Sequence, residues 1–294
     1  MHDSVIRKRI LTLGLLWLIT VSIWWQEFSG GKFLPPNSCH SDFLCIIFLD
    51  VGQGDAIFIQ SPSGKQLLID AGRPDGSVLR ELGKVMDWRD RALDFVLLTH
   101  PDADHIGGFP EVLARYEVAH VIRTENNSDT DIWRTTERAI IESEAKIHFA
   151  RRGQRYQLGH EVYLEILFPD TDTSTFESNK ASIVAKLIYG NTSFMLTGDS
   201  PKSIEEYLVL IEGEHLKSDV LKVGHHGSRT STSELFISHV QPKYAVISAG
   251  KDNSYGHPHL EVTDLLFNFE VNTLNTAESG RVVFWSDGTD VHVR

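Results

Sequence analysis

The stretch Thr99-His100-Pro101-Asp102-Ala103-Asp104-His105-Ile106-Gly107-Gly108 limits what this chain can be more than any other. Four side chains able to ligate a metal, His100, Asp102, Asp104 and His105, fall within six residues, directly after the apolar run Phe95-Val96-Leu97-Leu98. A buried strand that ends in such a cluster offers a short, stiff loop at a sheet edge, where a metal site is held with little residual freedom. His100 and Asp102 are two apart, so in an extended loop they point to one side, while Asp104 and His105 reach a second centre. That spacing suits two cations about 3.5–4 Å apart, bridged by a water or hydroxide. A solvated turn rich in Asp and His by chance is the alternative, and the elements that follow downstream speak against it.

Those elements come in order. Asp50-Val51-Gly52-Gln53-Gly54-Asp55-Ala56 makes a glycine-rich turn between two apolar runs. Asp70-Ala71-Gly72 closes a third strand, Thr197-Gly198-Asp199 closes a hairpin, and Gly224-His225-His226-Gly227-Ser228 closes a further strand. By position after its strand His225 is the better ligand, and His226 the better candidate for substrate contact or proton transfer. Lys222 and Ser228 lie near enough in sequence to help hold a phosphate. The loop Asn253-Ser254-Tyr255-Gly256-His257-Pro258-His259 follows; His257 there either donates a proton to a leaving group or contacts a phosphate, or the segment is a turn stabilised by Pro258.

The 99–108 stretch resembles the signature of the metallo-β-lactamase superfamily, His-x-His-x-Asp-His, with Asp102 in place of the second histidine. With the upstream Gly-Gln-Gly-Asp-Ala and downstream Gly-His-His-Gly-Ser segments, residues 43–294 are similar to the hydrolase domain of the ComEC family of DNA-uptake proteins. The resemblance implies an α/β, four-layer αββα sandwich, with two mixed sheets flanked by helices. It also implies that Asp70 packs beneath the metal loop and accepts a hydrogen bond from a ligand histidine, fixing its tautomer. It implies further that Asp199 bridges two metals, and it matches a further family motif at Tyr255-Gly256-His257-Pro258. Most of the superfamily places another ligand histidine at the end of the polar loop 170–180, where this chain has Asn179-Lys180-Ala181-Ser182 and no histidine between His160 and Asp199. Either that ligand is missing or Asn179 takes a weak part.

The ligand set is therefore His100, Asp102, Asp104, His105, Asp199 and His225. His100 and Asp102 would hold one ion, Asp104, His105 and His225 the other, with Asp199 between them. Three imidazoles and three carboxylates make a harder donor set than a histidine-rich dizinc site, so the two divalent ions are Mn²⁺, Mg²⁺ or Zn²⁺. Oxygen-rich two-metal sites suit phosphate esters, which points to a phosphodiesterase with DNA as its substrate, and gives Asp104, His226 and His257 catalytic roles. The ComEC family's large multi-helix channel is absent from these residues. The alternatives are therefore kept: a choline-phosphate ester, a carboxylic ester, lactone or β-lactam as substrate, or a silent membrane-tethered module that binds metal or a partner.

The flanks set the setting. Arg7-Lys8-Arg9 precedes residues 10–25, a run without charge that ends in Trp24-Trp25 and reads as an N-terminal anchor or signal segment, with the basic flank in the cytoplasm and the domain outside it. Residues 1–42 are then anchor plus a Pro35-Pro36 linker, and 43–294 one domain of two similar halves. Cys39 and Cys45 either pair or stand as two thiols; neither has metal-site spacing. The net charge of −12 argues against an extended basic grip on long nucleic acid. No protein partner is legible. Period-two and apolar runs predict strands at 45–49, 56–60, 66–69, 95–98, 120–123, 146–150, 161–168, 183–189, 194–196, 220–223, 244–247, 271–274, 281–285 and 291–293, with helices at 78–84, 109–116, 132–143, 204–211 and 260–267.

Overall fold

The computed structural model describes residues 42–294, so the expected anchor and its linker lie outside the described residues. Among the described residues no helix is long and apolar enough to cross a membrane. Cys45 is disulfide-bonded, which excludes a free thiol there.

Two mixed sheets pack face to face, as the sandwich reading expects. The first contains β1 (Leu44–Phe48), β2 (Ile57–Gln60), β3 (Gln66–Ile69), β4 (Ala92–Leu97), β5 (Glu117–Arg123), β6 (Lys146–Phe149), β14 (Val282–Ser286) and β15 (Val291–Val293), in the order β15-β14-β1-β2-β3-β4-β5-β6. The second contains β7 (Arg155–Gly159), β8 (Val162–Phe168), β9 (Val184–Tyr189), β10 (Thr192–Leu196), β11 (Val220–Lys222), β12 (Tyr244–Ile247) and β13 (Asn272–Asn275), in the order β13-β12-β11-β10-β9-β8-β7. Each sheet is antiparallel on one side and parallel on the other. The switch falls at β3, which pairs β2 antiparallel and β4 parallel, and at β10, which pairs β9 antiparallel and β11 parallel.

β1 shows why the chain folds this way. Leu44, Ile46 and Phe48 face the space between the sheets, while Cys45 and Ile47 face a helical layer on the other side. Both faces are covered, so the strand is a continuous apolar run rather than an alternating one. The inter-sheet core is filled by residues such as Ile166, Phe194, Val246 and Phe284. Outside the first sheet lie helices Ser77–Val85, Phe109–Arg115 and Asp131–Glu142; outside the second lie Lys202–Glu212, Glu234–Val240 and Leu260–Asn268. Burying one helix stripe needs only a few apolar residues: Val78 and Leu82 on the first helix, Leu208 and Val209 on the fourth.

Strand β7 and helix Glu234–Val240 are absent from the sequence expectation, as are the single helical turns Ala103–Ile106 and Thr276–Ser279. β7 is an edge strand with mainly exposed or half-buried side chains, so it has no apolar pattern to betray it. Helix Glu234–Val240 follows the polar run Ser228–Ser233 and is short; its signal is Ser233, whose hydroxyl accepts the Phe236 N–H at the N-cap.

The consequence for function is positional. The C-terminal ends of β3 and β4 in one sheet, and of β10, β11 and β12 in the other, open at the same edge of the sandwich. In open α/β sheets that edge, where strand order switches, is where ligands bind.

Candidate metal centre

Loops from both sheets deliver the site. β4 leads through Leu98 and Thr99 into His100, and Asp102 then caps a single helical turn, Ala103–Ile106, that carries Asp104 and His105. β10 delivers Asp199, β11 delivers His225 and His226, and β12 delivers Ser248. The turn between β1 and β2 packs directly on the metal loop. Asp55 N–H donates to the Asp104 carbonyl at 3.2 Å, and at Gly54, with φ of 130°, any Cβ would collide with that same carbonyl. Gly54 is therefore a close-approach glycine.

The backs of four imidazoles are tied, and for His100, His105 and His226 the tie sets the tautomer. His105 Nδ1–H donates to Asp70 Oδ2 at 2.8 Å. Thr99 donates its hydroxyl to Asp70 Oδ2 at 2.7 Å and its amide to Oδ1 at 2.9 Å, which leaves the Thr99 oxygen to accept from His100 Nδ1–H at 3.0 Å. His226 Nδ1–H donates to the Ser248 carbonyl at 2.8 Å, and His225 Nδ1 meets the Thr230 hydroxyl at 3.1 Å. The Nε2 atoms of His100, His105 and His226 then face inward, where each carries a proton or gives its lone pair to a cation. Asp70, expected from the resemblance beneath the metal loop, is there, fully buried and in the left-handed region with φ of 56°.

The inward atoms converge on Asp199. His105 Nε2 lies 3.3 Å from Asp199 Oδ1 and 3.3 Å from His226 Nε2. His226 Nε2 lies 3.5 Å from both Asp104 Oδ2 and Asp199 Oδ2, His225 Nε2 lies 3.6 Å from Asp199 Oδ2, and His100 Nε2 lies 3.6 Å from Asp102 Oδ2 and 4.0 Å from Asp199 Oδ2. His100 Nε2 and Asp199 Oδ1 are buried and have no hydrogen-bond partner. Two nitrogens bound tetrahedrally at 2.0–2.1 Å to one ion sit roughly 3.3–3.4 Å apart. The His105–His226 spacing matches that, and the orphaned, converging donors fit divalent cations. Asp102, Asp104 and His225 keep 43, 22 and 25% of their side-chain surface exposed, so they form the mouth.

Electrostatics agree. Burial works against charge on His105 and His226, yet Asp199 with Asp70, and Asp199 with Asp55, outweigh it. His105 is raised well above the ordinary imidazole range and His226 is raised to about 9. Burial likewise opposes ionisation of Asp199, but His105 and His226 hold it well below the usual carboxylate range. The centre demands positive charge and takes it from protons when no cation supplies it.

The structure places five of the expected residues differently from the sequence reading: His225, His226, Lys222, Ser228 and His257. His226, not His225, has its Nε2 at the centre of the cluster; the left-handed backbone at both, φ 48° and 55°, turns His226 inward and leaves His225 at the mouth. Lys222 is not a phosphate contact. It is 1% exposed, ion-pairs with Asp55, and donates to the Gly198 carbonyl at 3.0 Å. Ser228 is also buried, its hydroxyl paired with Thr230 at 3.0 Å, which removes it from substrate. His257 reaches the site, with its ring 5.5 Å from that of His225, but burial and then His225 and His226 push its pKa down to about 4. At neutral pH it is an uncharged ring, so the imidazolium proton-donor role is closed to it. In the loop 170–180, Ser178 donates its hydroxyl to Asp102 Oδ1 at 2.6 Å.

Asp55 is the residue that sequence reasoning left without a role. Asp55, His105, Asp199 and His226 have ligand-type atoms within 4.8 Å of one another. Asp55, however, faces the Nδ1 atoms, at 3.8 Å for His105 and 3.5 Å for His226, and these are already committed to Asp70 and Ser248. It stands behind the rings with Lys222, not among the inward donors. Burial disfavours its charge, but Lys222 and then His226 hold its pKa down at about 2.

The chain belongs to the metallo-beta-lactamase superfamily, whose family model matches residues 49–251. It is 32% identical over 252 residues to ComE operon protein 3 of Bacillus subtilis, a match covering 80% of this chain and 32% of that protein. It is 29% identical over 259 residues to Competence protein ComA of Neisseria gonorrhoeae, covering 87% of this chain and 34% of that one. The chain thus spans about a third of the length of these curated relatives. Among solved structures, the metallo-beta-lactamase fold protein YhfI from Bacillus subtilis superposes with a TM-score of 0.50 at 13% identity, covering 79% of this chain and 95% of that one, a likeness of fold.

Two outcomes follow. Lys222→Met strips Asp55 of its buried partner and should cost about 3–5 kcal/mol of stability in urea unfolding, rather than shifting a Michaelis constant alone. In chelator, the raised pKa of His226 makes its contribution to stability full below about 6.5 and lost as pH rises through about 9. The metal-free melting temperature should therefore fall over that interval, while the stabilisation conferred by added divalent cation grows, because fewer protons must be displaced.

Proposed function

We propose that this metallo-beta-lactamase superfamily hydrolase is a metal-dependent phosphodiesterase acting on DNA. The observation that carries the reading is the composition of the inward donor set: three imidazole Nε2 atoms, with carboxylates of Asp102, Asp104 and Asp199 between and beside them. His100, Asp102 and Asp199 would hold one divalent cation, and Asp104, His105, His226 and Asp199 a second, with His225 beside them. The mixed nitrogen and oxygen donors suit Zn²⁺ or Mn²⁺, and the carboxylates admit Mg²⁺. When bound, the cations would lower the pKa of water and neutralise charge that builds on phosphoryl oxygens.

The chain's own groups then divide the work. Burial disfavours charge on Asp104, but the His226 bond and the His105 charge hold its carboxyl far below the usual range. An acid that strong is a poor base; as a half-open carboxylate at the mouth it orients the attacking water by accepting its hydrogen bond. His257, neutral, offers a ring N–H to a phosphate oxygen or to the leaving group. Asp70 and Asp55–Lys222 hold the imidazoles in register from behind. The resemblance of residues 43–294 to the ComEC family of DNA-uptake proteins supports DNA as the substrate, and the uncharged run at residues 10–25 supports a membrane-tethered domain outside the cytoplasm.

The test is a substrate panel on the purified chain with Mn²⁺ or Zn²⁺ added: bis-p-nitrophenyl phosphate, single- and double-stranded DNA, p-nitrophenylphosphorylcholine, p-nitrophenyl acetate and a lactone. Turnover of bis-p-nitrophenyl phosphate and DNA is expected, lost in chelator and reduced to buffer background in Asp199→Ala. Hydrolysis of the acetate or lactone without phosphodiester turnover would overturn the reading.

A further inference from the structure

The segment between β12 and helix Leu260–Asn268 carries an aromatic ring that neither the metal centre nor the core uses. Tyr255 is 56% exposed although it is large and partly apolar. Its ring is stacked on His257, with centroids 5.6 Å apart and planes 21° apart. His257 in turn stands 5.5 Å from His225 and 6.4 Å from His226 by ring centroids. The exposed ring is thus the outermost member of a short aromatic series that begins at the metal centre.

The loop that holds it is preorganised by one side chain. Asn253 Oδ1 accepts the Tyr255 and His257 amides at 3.2 and 2.9 Å, and its Nδ2 donates to the Gly250 and His257 carbonyls at 2.9 and 2.6 Å. Four bonds from one residue fix a loop whose tip is otherwise solvated. His259, which begins the helix, is tied to the ligand loop through the Arg229 amide at 3.3 Å. A surface ring held this firmly, with one face covered by His257, presents its other face ready to stack at little entropic cost.

We propose that Tyr255 is the stacking platform for one unpaired nucleobase of the strand whose phosphodiester lies at the metal centre. This rests on the phosphodiesterase reading above and names the substrate class: a short single-stranded segment or strand end, rather than duplex. Bases within a duplex are already stacked on their neighbours and would have to be flipped out to reach the ring. Base–aromatic stacking needs no particular base, so the site discriminates strandedness and the presence of a base, not sequence. The net charge of −12 fits a grip of this size, since one platform beside a cation-binding centre needs no long basic groove.

The experiment uses the full chain loaded with Mn²⁺ and fluorescence anisotropy with two phosphorothioate-linked, fluorescein-labelled probes, pentathymidine and an abasic strand of the same length. The wild type should bind the thymidine strand about 5- to 150-fold more tightly than the abasic one, the range expected for one stacked base. Tyr255→Ala should bring the thymidine strand down to the abasic level without changing the abasic affinity, and Tyr255→Phe should keep the preference. An equal affinity of the wild type for both probes, or a preference that survives in Tyr255→Ala, overturns the proposal. A base preference lost in Tyr255→Ala in a protein that cleaves no phosphodiester would sustain the platform and sink the proposed activity instead.

Discussion

Buried negative charge is the constraint around which the rest is arranged. Asp55, Asp70 and Asp199 are each 3% exposed or less, and among the described residues Lys222 is the one ammonium that ion-pairs within this group. A buried carboxylate without compensation costs several kcal/mol. Lys222 answers Asp55, and the hydrogen bonds from Thr99 and His105 answer Asp70. Asp199 faces imidazole nitrogens at 3.3–3.6 Å, which balance its charge only if they carry protons or share a cation. The raised pKa values of His105 and His226 are the same fact seen from the imidazole side.

That division separates a back layer from a front layer. Behind the rings, Asp70, Thr99, Asp55, Lys222 and the Ser248 carbonyl decide which nitrogen carries the proton. In front, His100, His105, His226 and Asp199 present donors, and Asp102, Asp104 and His225 open to solvent. The sandwich makes this possible because parallel strands of both sheets end at one edge, where tight turns can be packed against each other. Left-handed backbone at Asp70, His225 and His226 marks where local conformational preference gives way to that packing.

Much of this was legible in the sequence because metal chemistry restricts residue types and spacing severely. His100, Asp102, Asp104 and His105 could be placed together from their proximity alone, and the structure brings Asp199 and the His225–His226 pair to them. What stayed hidden depended on directions that spacing does not encode. Adjacent His225 and His226 differ only in which ring the φ-positive turn swings inward. Lys222 ends a buried strand, so its neighbours in space, Asp55 above all, lie far away in sequence. Asp55 itself sat in a turn whose glycines were readable, but the reason for Gly54, contact with the Asp104 carbonyl, appears only once the two loops meet. Edge strand β7 escaped because an edge need not be apolar.

Anomalous diffraction from crystals of the protein grown with Mn²⁺ or Zn²⁺ tests the central claim most directly. Peaks flanking Asp199, within bonding distance of Nε2 of His100, His105 and His226, are predicted, with the Nδ1 atoms still bonded to Thr99, Asp70 and Ser248. Cation bound through the Nδ1 atoms on the Asp55 side, or no peak between the two loops, would contradict it.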